Sequence, residues 1–285
     1  MQTENFYHVD VFAHAPLSGN GLCVFLDTEN WSDERMQSLT QEMRQFESIF
    51  LSGISSSGAR ARIFTVEEEL PFAGHPVLGA AAILHRTQAA ASDYAQWTLQ
   101  LSQKAIQVES WKHKDYFVCQ MNQGRPRIDA PISLERLLPI LHRMNLRPED
   151  VRQDLAAQVV STGLDYLILP VHSHALEKTT ICGLDLETEL LELGAKFVFV
   201  LDVEHREIRT WDNLGKVEDI ATGSAAGPAA AYYHMHGLSG VNDVVQFHQG
   251  RFLGRPSRLD TLINPLGEVL VSGQVWPVSK GILEM

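Results

Sequence analysis

The sequence predicts a mixed α/β (α+β) fold built from two similar halves. Strand-like apolar runs alternate with helix-like stretches along all 285 residues, the pattern of sheets covered by helices. A strand, a glycine corner and an Ala-rich helix occur once per half. Gly74 superposes on Gly223 at an offset of 149, Glu69 then falls on Glu218, and Ala80-Ala81-Ala82 on Ala229-Ala230-Ala231. An earlier pair, "SGNGLCVF" and "STGLDYLIL", echoes in the same order. The halves are expected at residues 1–120 and 121–285, with 273–285 a candidate strand returning to the first.

In chain order, "FYHVDVFA" and "GLCVFLD" read as strands joined by the Pro-, Gly- and Asn-bearing turn "HAPLSGN". "WSDERMQSLTQEMRQF" reads as a helix, with Ser32 as N-cap and Met36, Leu39 and Met43 at helical spacing. "ESIFLSG" and "ARARIFTVEEEL" are strands, "HPVLGAAAILHR" a helix, and residues 97–124 a strand meander. Residues 120–135, proline-bearing and irregular, read as the linker. The second half begins with the helix "SLERLLPILHRMNL" and the strand-rich "VVSTGLDYLILPV". The helix "LETELLELGAK" follows, ending at Gly194, and then the buried strand "FVFVLDVE". "SAAGPAAAYYHMHG" is the second Ala-rich helix; its closing histidines and Gly237 suit a helix C-terminus. "GEVLVSGQVWPV" supplies the final strands.

Composition narrows the function. Apolar content of 45% suffices for a packed core without staples. A net charge of −12 and a pI near 5.4 argue against a nucleic-acid partner, which needs a basic face. The cysteines, Cys23, Cys119 and Cys182, are odd in number and form no CxxC pair, so a reducing, cytoplasmic setting is expected. No signal peptide is apparent at the N-terminus. No apolar run reaches the length of a membrane-spanning helix, so no membrane partner is expected.

The two glycine corners carry the chemistry. A helix N-terminus leaves about four N–H groups unpaired and bears roughly half a positive charge. Glycine lets a ligand approach that backbone, and Pro76 fits a first turn where its missing N–H costs nothing. "AGHP" and "TGSA" can therefore each receive an anion, although either alone is equally an ordinary helix start. Two related corners facing one cleft would suit a small carboxylate. His75, at such an N-terminus, is expected to be neutral and able to exchange a proton, or else simply packed for shape. Asp219, four residues ahead of Gly223, is a second candidate, or a plain charge partner of the helix. Glu47, in "RQFESIF", is the third. Beside Phe46, Ile49 and Phe50 it is expected to be desolvated and suited to a general base, or else to lie exposed at an element boundary.

These residues resemble the PhzF family, the isomerases of phenazine biosynthesis and their relatives. The likeness rests on "VDVFAHAPLSGNGLCVFLD", "MRQFESIFL", "RIFTVEEELPFAGHPVLGAA", "EDIATGSAAGP" and "HQGRFLGRPSRL", which run from Tyr7 to about Leu259. It implies the diaminopimelate epimerase-like fold: two pseudo-symmetric domains, each a curved mixed sheet wrapped around a central helix, with the site in the cleft between them. It also implies a homodimer without metal or organic cofactor. The family's base glutamate matches Glu47, its Gly-His-Pro histidine His75, and its aspartate before the second corner Asp219. Backbone at Gly74, Gly223 and Ser224 would hold the carboxylate of a small-molecule substrate similar to dihydro-3-hydroxyanthranilate. The chain departs from the family at Ile220, where proline is usual, at Gly21 after Asn20, and in "IRTWDNLGKV", where Trp211 and Asp212 are candidates to reshape the pocket.

Two alternatives remain at this point. Racemases and epimerases of this fold carry a cysteine at each glycine corner; Cys23, Cys119 and Cys182 lie elsewhere, so an epimerase here would work without that pair. The chain could also be a non-catalytic small-carboxylate binder. His172 with His174, and His234 with His236, lack nearby ligand partners in sequence, so no metal site is expected.

Overall fold

The computed structural model describes residues 4–182 and 185–284. The outermost residues of the expected domains, 1–3 and 285, lie outside the described residues. The chain forms two compact units. The first holds the residues up to Asn122 and those from Val271 on, the second Gln123–Leu270.

In the first unit β1 (Glu4–Val11) runs antiparallel to β2 (Asn20–Phe25), and α1 (Asp33–Met43) leads into β3 (Glu47–Ser55), which lies parallel to β2. β4 (Gly58–Thr65) pairs antiparallel to β3 and carries the short β5 (Glu69–Leu70). After α2 (Gly74–Gln88) come β6 (Tyr94–Gln100), β7 (Ala105–Lys112) and β8 (Phe117–Gly124). The last strand, Val269–Leu283, neighbours β8 and pairs with β1, so the order β1-β2-β3-β4-β6-β7-β8-last closes on itself.

Local chemistry sets the two helices of this unit. Ser32 caps α1 by accepting from the Arg35 N–H at 3.3 Å, and Asp33 and Glu34 sit at its positive end. Met36 and Leu39 bury against Cys23, Phe25, Phe50 and Phe64, with Phe25 and Phe50 stacked at 4.7 Å. Arg44, at φ 52°, ends the helix in the left-handed conformation and drops the chain into β3, whose first residue is Glu47. α2 has no solvent face over its first twelve residues, Gly74 to His85. It packs on β1, β2, β3 and β7, and small residues are what this enclosure requires. A Cβ on Gly79 would stand 2.3 Å from Leu22 Cδ2 and 3.2 Å from Val9 Cγ2.

The second unit contains β9 (Arg127–Ile128), α3 (Leu134–Arg143), β10 (Gln158–Ser161), β11 (Asp165–Val171), α4 (Ser173–Lys178), α5 (Glu187–Glu192), β12 (Phe197–Asp202), β13 (Glu207–Arg209), α6 (Gly223–Met235), β14 (Val245–Gln249) and β15 (Ser257–Ile263). Its sheet runs β15-β14-β13-β12-β11-β10-β9, with β11 and β12 parallel. Leu137, Ile140, Leu176 and Leu190 from α3, α4 and α5 join one apolar core with β11 and β12. α6 packs on β10, β11 and β15 and is buried from Gly223 to Tyr233.

The strand meander read over 97–124 ends with β8 at Gly124, where Cys119, Met121 and Gln123 alternate inward with period two; the linker read at 120–135 overlapped it, and its first residues belong to the strand. The last strand begins at Val269, within the segment "GEVLVSGQVWPV" read as closing strand, on the alternation of Val269, Val271 and Val275. Gly79→Leu is expected to overpack α2 against Leu22 and Val9 and to lower stability by about 1–3 kcal/mol or more, read as a lowered denaturant midpoint with the secondary structure retained.

Candidate active site

The first half of the site lies at the N-terminus of α2. Glu47 and His75 are 5% and 3% exposed, and His75 Nδ1 stands 3.4 Å from Glu47 Oε2. Asn20, the first residue of β2, brings its side-chain Nδ2 to 3.4 Å from the same ring nitrogen. Burial pushes His75 down to about 3. At neutral pH the Glu47–His75 contact is therefore made by an uncharged ring and is not an ion pair. His75 Nε2 is also buried, and among the described residues it has no hydrogen-bond partner. An unmatched buried group of this kind costs about 1–3 kcal/mol. The N-cap residue, Ala73, has no side-chain oxygen and makes no cap bond of its own, and Gly74 brings its backbone forward without a Cβ.

The second half lies at the N-terminus of α6. Asp219, 5% exposed, accepts the Thr222 hydroxyl on Oδ2 at 2.5 Å and the Ala221 N–H on Oδ1 at 3.4 Å. Thr222 is a residue type that commonly caps its own helix. Here its proton goes to Asp219, and α6 begins without a side-chain cap. Gln249 locks the arrangement. Its Oε1 accepts from Thr222 N at 2.8 Å, and its Nε2 donates to Asp219 O at 2.8 Å and to Thr222 Oγ1 at 3.0 Å. Gln123 Nε2 donates to Gly223 O at 2.9 Å and Thr162 Oγ1 to Gln123 Oε1 at 2.7 Å. A Cβ on Gly227 would stand 1.9 Å from that Oε1, so the crossing needs glycine there. Ser224 Oγ lies 2.8 Å from Tyr166 Oη.

A buried ion pair holds the strand before this corner. Arg209 donates from Nε and a terminal nitrogen to Glu218 at 2.8 and 2.7 Å. Its other nitrogen reaches the carbonyls of Leu176, Glu177 and Thr179. The guanidinium lies over Trp211 at 4.6 Å and Phe252 at 4.4 Å. A saturated pair of this kind costs roughly 3–5 kcal/mol to break from one side. The "IRTWDNLGKV" departure is thus accounted for within the unit. Trp211 is a core residue on Arg209, and Asp212 closes a turn by accepting from Lys216 N at 2.7 Å and Val217 N at 3.2 Å. At Gly21 an added Cβ would meet the mobile end of the Gln45 side chain, Oε1 at 2.2 Å, and nothing else in the structure explains the glycine.

The structure therefore brings Glu47 and His75 together in the first unit, and gathers Asp219, Gly223 and Ser224 at one corner of the second. Sequence reasoning missed Asn20, Thr222, Gln249, Gln123 and Tyr166 as members. Asn20 and Thr222 stood inside quoted motifs, but as turn and corner residues. Among the described residues no three His, Cys, Asp or Glu side chains form a metal-ligand cluster. The pairing of His174 without a nearby acid is corrected in space: Asp150 Oδ1 lies 3.3 Å from its Nε2, but the Lys178 ammonium holds that same oxygen at 2.7 Å.

A family model described as phenazine biosynthesis-like protein (PhzC-PhzF) matches residues 9–281. The chain belongs to this family. Among PhzF relatives, the uncharacterized isomerase YddE of Salmonella typhimurium is 30% identical over 94% of each chain. The trans-2,3-dihydro-3-hydroxyanthranilate isomerase of Pseudomonas aeruginosa is 31% identical over 96% of each. A solved Pseudomonas aeruginosa structure described as a predicted epimerase superposes with a TM-score of 0.95 at 46% identity, covering 99% of both chains. A Bacillus anthracis PhzF-family structure, at 19% identity, covers 100% of both chains with a TM-score of 0.83. A hydroxyproline epimerase from Agrobacterium vitis, at 11% identity over 99% of this chain and 91% of its own, gives 0.67. The last two likenesses are of fold, the mixed α/β fold with a closed sheet shared by PhzF and epimerase-type structures.

The neutral state of His75 has a measurable consequence. Its folded pKa, about 3, lies below the usual value near 6.5. Between those values the unfolded chain binds a proton that the native chain does not. This contribution to stability is therefore present above about pH 6.5 and is lost as pH falls toward 3. Relative to wild type, His75→Gln is expected to flatten the loss of unfolding free energy between pH 7 and pH 5 by up to about 1.4 kcal/mol per pH unit, measured by urea titrations at each pH.

Proposed function

We propose that the chain is an isomerase that moves a proton between carbons of a small carboxylic or amino acid by acid/base chemistry of its own side chains. The observation that carries this reading is the buried contact between Glu47 and a neutral His75 in a PhzF-family chain. Its relatives support it, several being named isomerases and one acting, by name, on trans-2,3-dihydro-3-hydroxyanthranilate.

Glu47 is the base that takes the proton from one carbon and returns it to another. Its near-complete burial keeps that proton from water in the interval. His75 contributes a hydrogen bond to the charge that develops on the substrate, and being neutral it does so without holding the substrate by a permanent charge. A preorganised donor of this kind is worth on the order of 10²–10³ in rate. Asp219, already committed as an acceptor to Thr222, receives a substrate amino or hydroxyl group. The uncapped backbone at Gly74, Gly223 and Ser224 receives the carboxylate. We extend the reading to a homodimer in the cytoplasm. Cys23, Cys119 and Cys182 are all free thiols, as a reducing compartment keeps them, and among the described residues no helix is long and apolar enough to cross a membrane.

The test is conversion of a panel of cyclic and amino carboxylic acids, trans-2,3-dihydro-3-hydroxyanthranilate included, followed by proton NMR in the presence of a chelator. Wild type is expected to isomerise at least one. Glu47→Gln, which keeps the shape and removes the base, is expected to lose on the order of 10²–10⁴ in rate with affinity little changed. Full activity in that variant would remove Glu47 from the mechanism. Binding without conversion across the panel would favour a non-catalytic carboxylate binder.

A further inference from the structure

His75 is buried and neutral, so its ring carries one N–H and one lone pair. Nδ1 has two polar neighbours at the same distance, Asn20 Nδ2 and Glu47 Oε2, each at 3.4 Å. One nitrogen cannot donate to the carboxylate and accept from the amide at once. Of the two, the Asn20 contact has hydrogen-bond alignment, whereas the Glu47 contact is proximity without it.

The backbone delivers Asn20 to this place with little freedom. Asn20 opens β2 opposite Val11 of β1 and is 1% exposed. Gly19 before it holds φ 68°, and a Cβ there would lie 2.4 Å from the Val11 carbonyl oxygen. No other residue type fits that turn without shifting the strand that carries the Asn20 side chain.

We infer that Asn20 is a positioning residue that sets the tautomer of His75. Its amide donates to Nδ1 and holds the ring proton on Nε2. The buried Nε2, for which no described residue serves as partner, is then an N–H donor reserved for the bound acid. The opposite tautomer would reverse both roles. An Nδ1–H would face Glu47 and, by hydrogen bonding to its charged form, lower its basicity, and Nε2 would present a lone pair to a substrate gaining negative charge. Asn20 thus separates two functions that share one nitrogen: Glu47 keeps its basicity, and His75 keeps its donor. The inference rests on the proposed roles of Glu47 and His75, but the tautomer can be read without any substrate.

The experiment uses the full chain with ¹⁵N-labelled imidazoles and records long-range ¹H–¹⁵N correlations at pH 7 without ligand, the His75 signals being assigned by their loss in His75→Gln. Wild type is expected to show an unprotonated Nδ1 and a protonated Nε2. Asn20→Asp, which places an acceptor where the amide donor stood, is expected to move the proton to Nδ1. On any acid that wild type isomerises, that variant is expected to lose about 10²-fold in kcat, as for the loss of one oxyanion donor, with a smaller change in KM. A wild-type spectrum with the proton on Nδ1 overturns the inference, as does a folded Asn20→Asp variant with the wild-type tautomer. Should that variant not fold, the wild-type spectrum alone decides. A wrong tautomer with intact isomerase activity would dismiss Asn20 and leave Glu47 in place. A correct tautomer with no activity on any acid would dismiss the isomerase and leave Asn20 in place.

Discussion

The first unit depends on one constraint: a helix with no solvent face inside a sheet that closes on itself. α2 is buried from Gly74 to His85, and eight strands are joined around in one closed order. Such a helix can carry only side chains that the strands leave room for, which is why Gly79 and three consecutive alanines stand where they do. The same enclosure acts on the residues at its N-terminus. A histidine there cannot keep a second proton, because the charge would be stranded away from water. A glutamate beside it, at the start of a strand set by the left-handed residue Arg44, is withdrawn from solvent as well. The chemistry of Glu47 and His75 thus follows from packing rather than from any unusual residue.

The second unit reaches a comparable corner by different means. α6 is just as small-residued and as buried, but its entry is held by polar bonds. Gln249 bridges three atoms of the corner, Thr222 gives its hydroxyl to Asp219, and Arg209 ties Glu218 to the end of α4. These bonds hold Asp219 as an acceptor and leave the first turn of α6 without a side-chain cap. The departures from the usual family motif around Trp211 serve this scaffolding, since Trp211 and Phe252 both lie against the guanidinium that organises it.

Much of the fold was legible in the sequence because its signals are local. The Ser32 cap, the Ala-rich helices and the alternating strands are all set by neighbours a few residues apart. What escaped was set at long range. Glu47 and His75 could be picked out singly, from an apolar boundary and a Gly-His-Pro corner. Their partners could not. Asn20 meets His75 across 55 residues and Gln249 meets Thr222 across 27, and neither has a spacing or composition that marks a hydrogen bond. Asn20 was readable only as the end of a turn, whereas it opens β2.

In the proposed mechanism one shielded base, Glu47, carries a proton from carbon to carbon. The direct measurement uses an acid that the protein isomerises, deuterated at the carbon that loses hydrogen, incubated in ordinary water and analysed by NMR at low conversion. With Glu47 only 5% exposed, the product is expected to retain a measurable share of deuterium at the receiving carbon. Complete replacement by solvent hydrogen at the earliest conversions would contradict a single enclosed carrier.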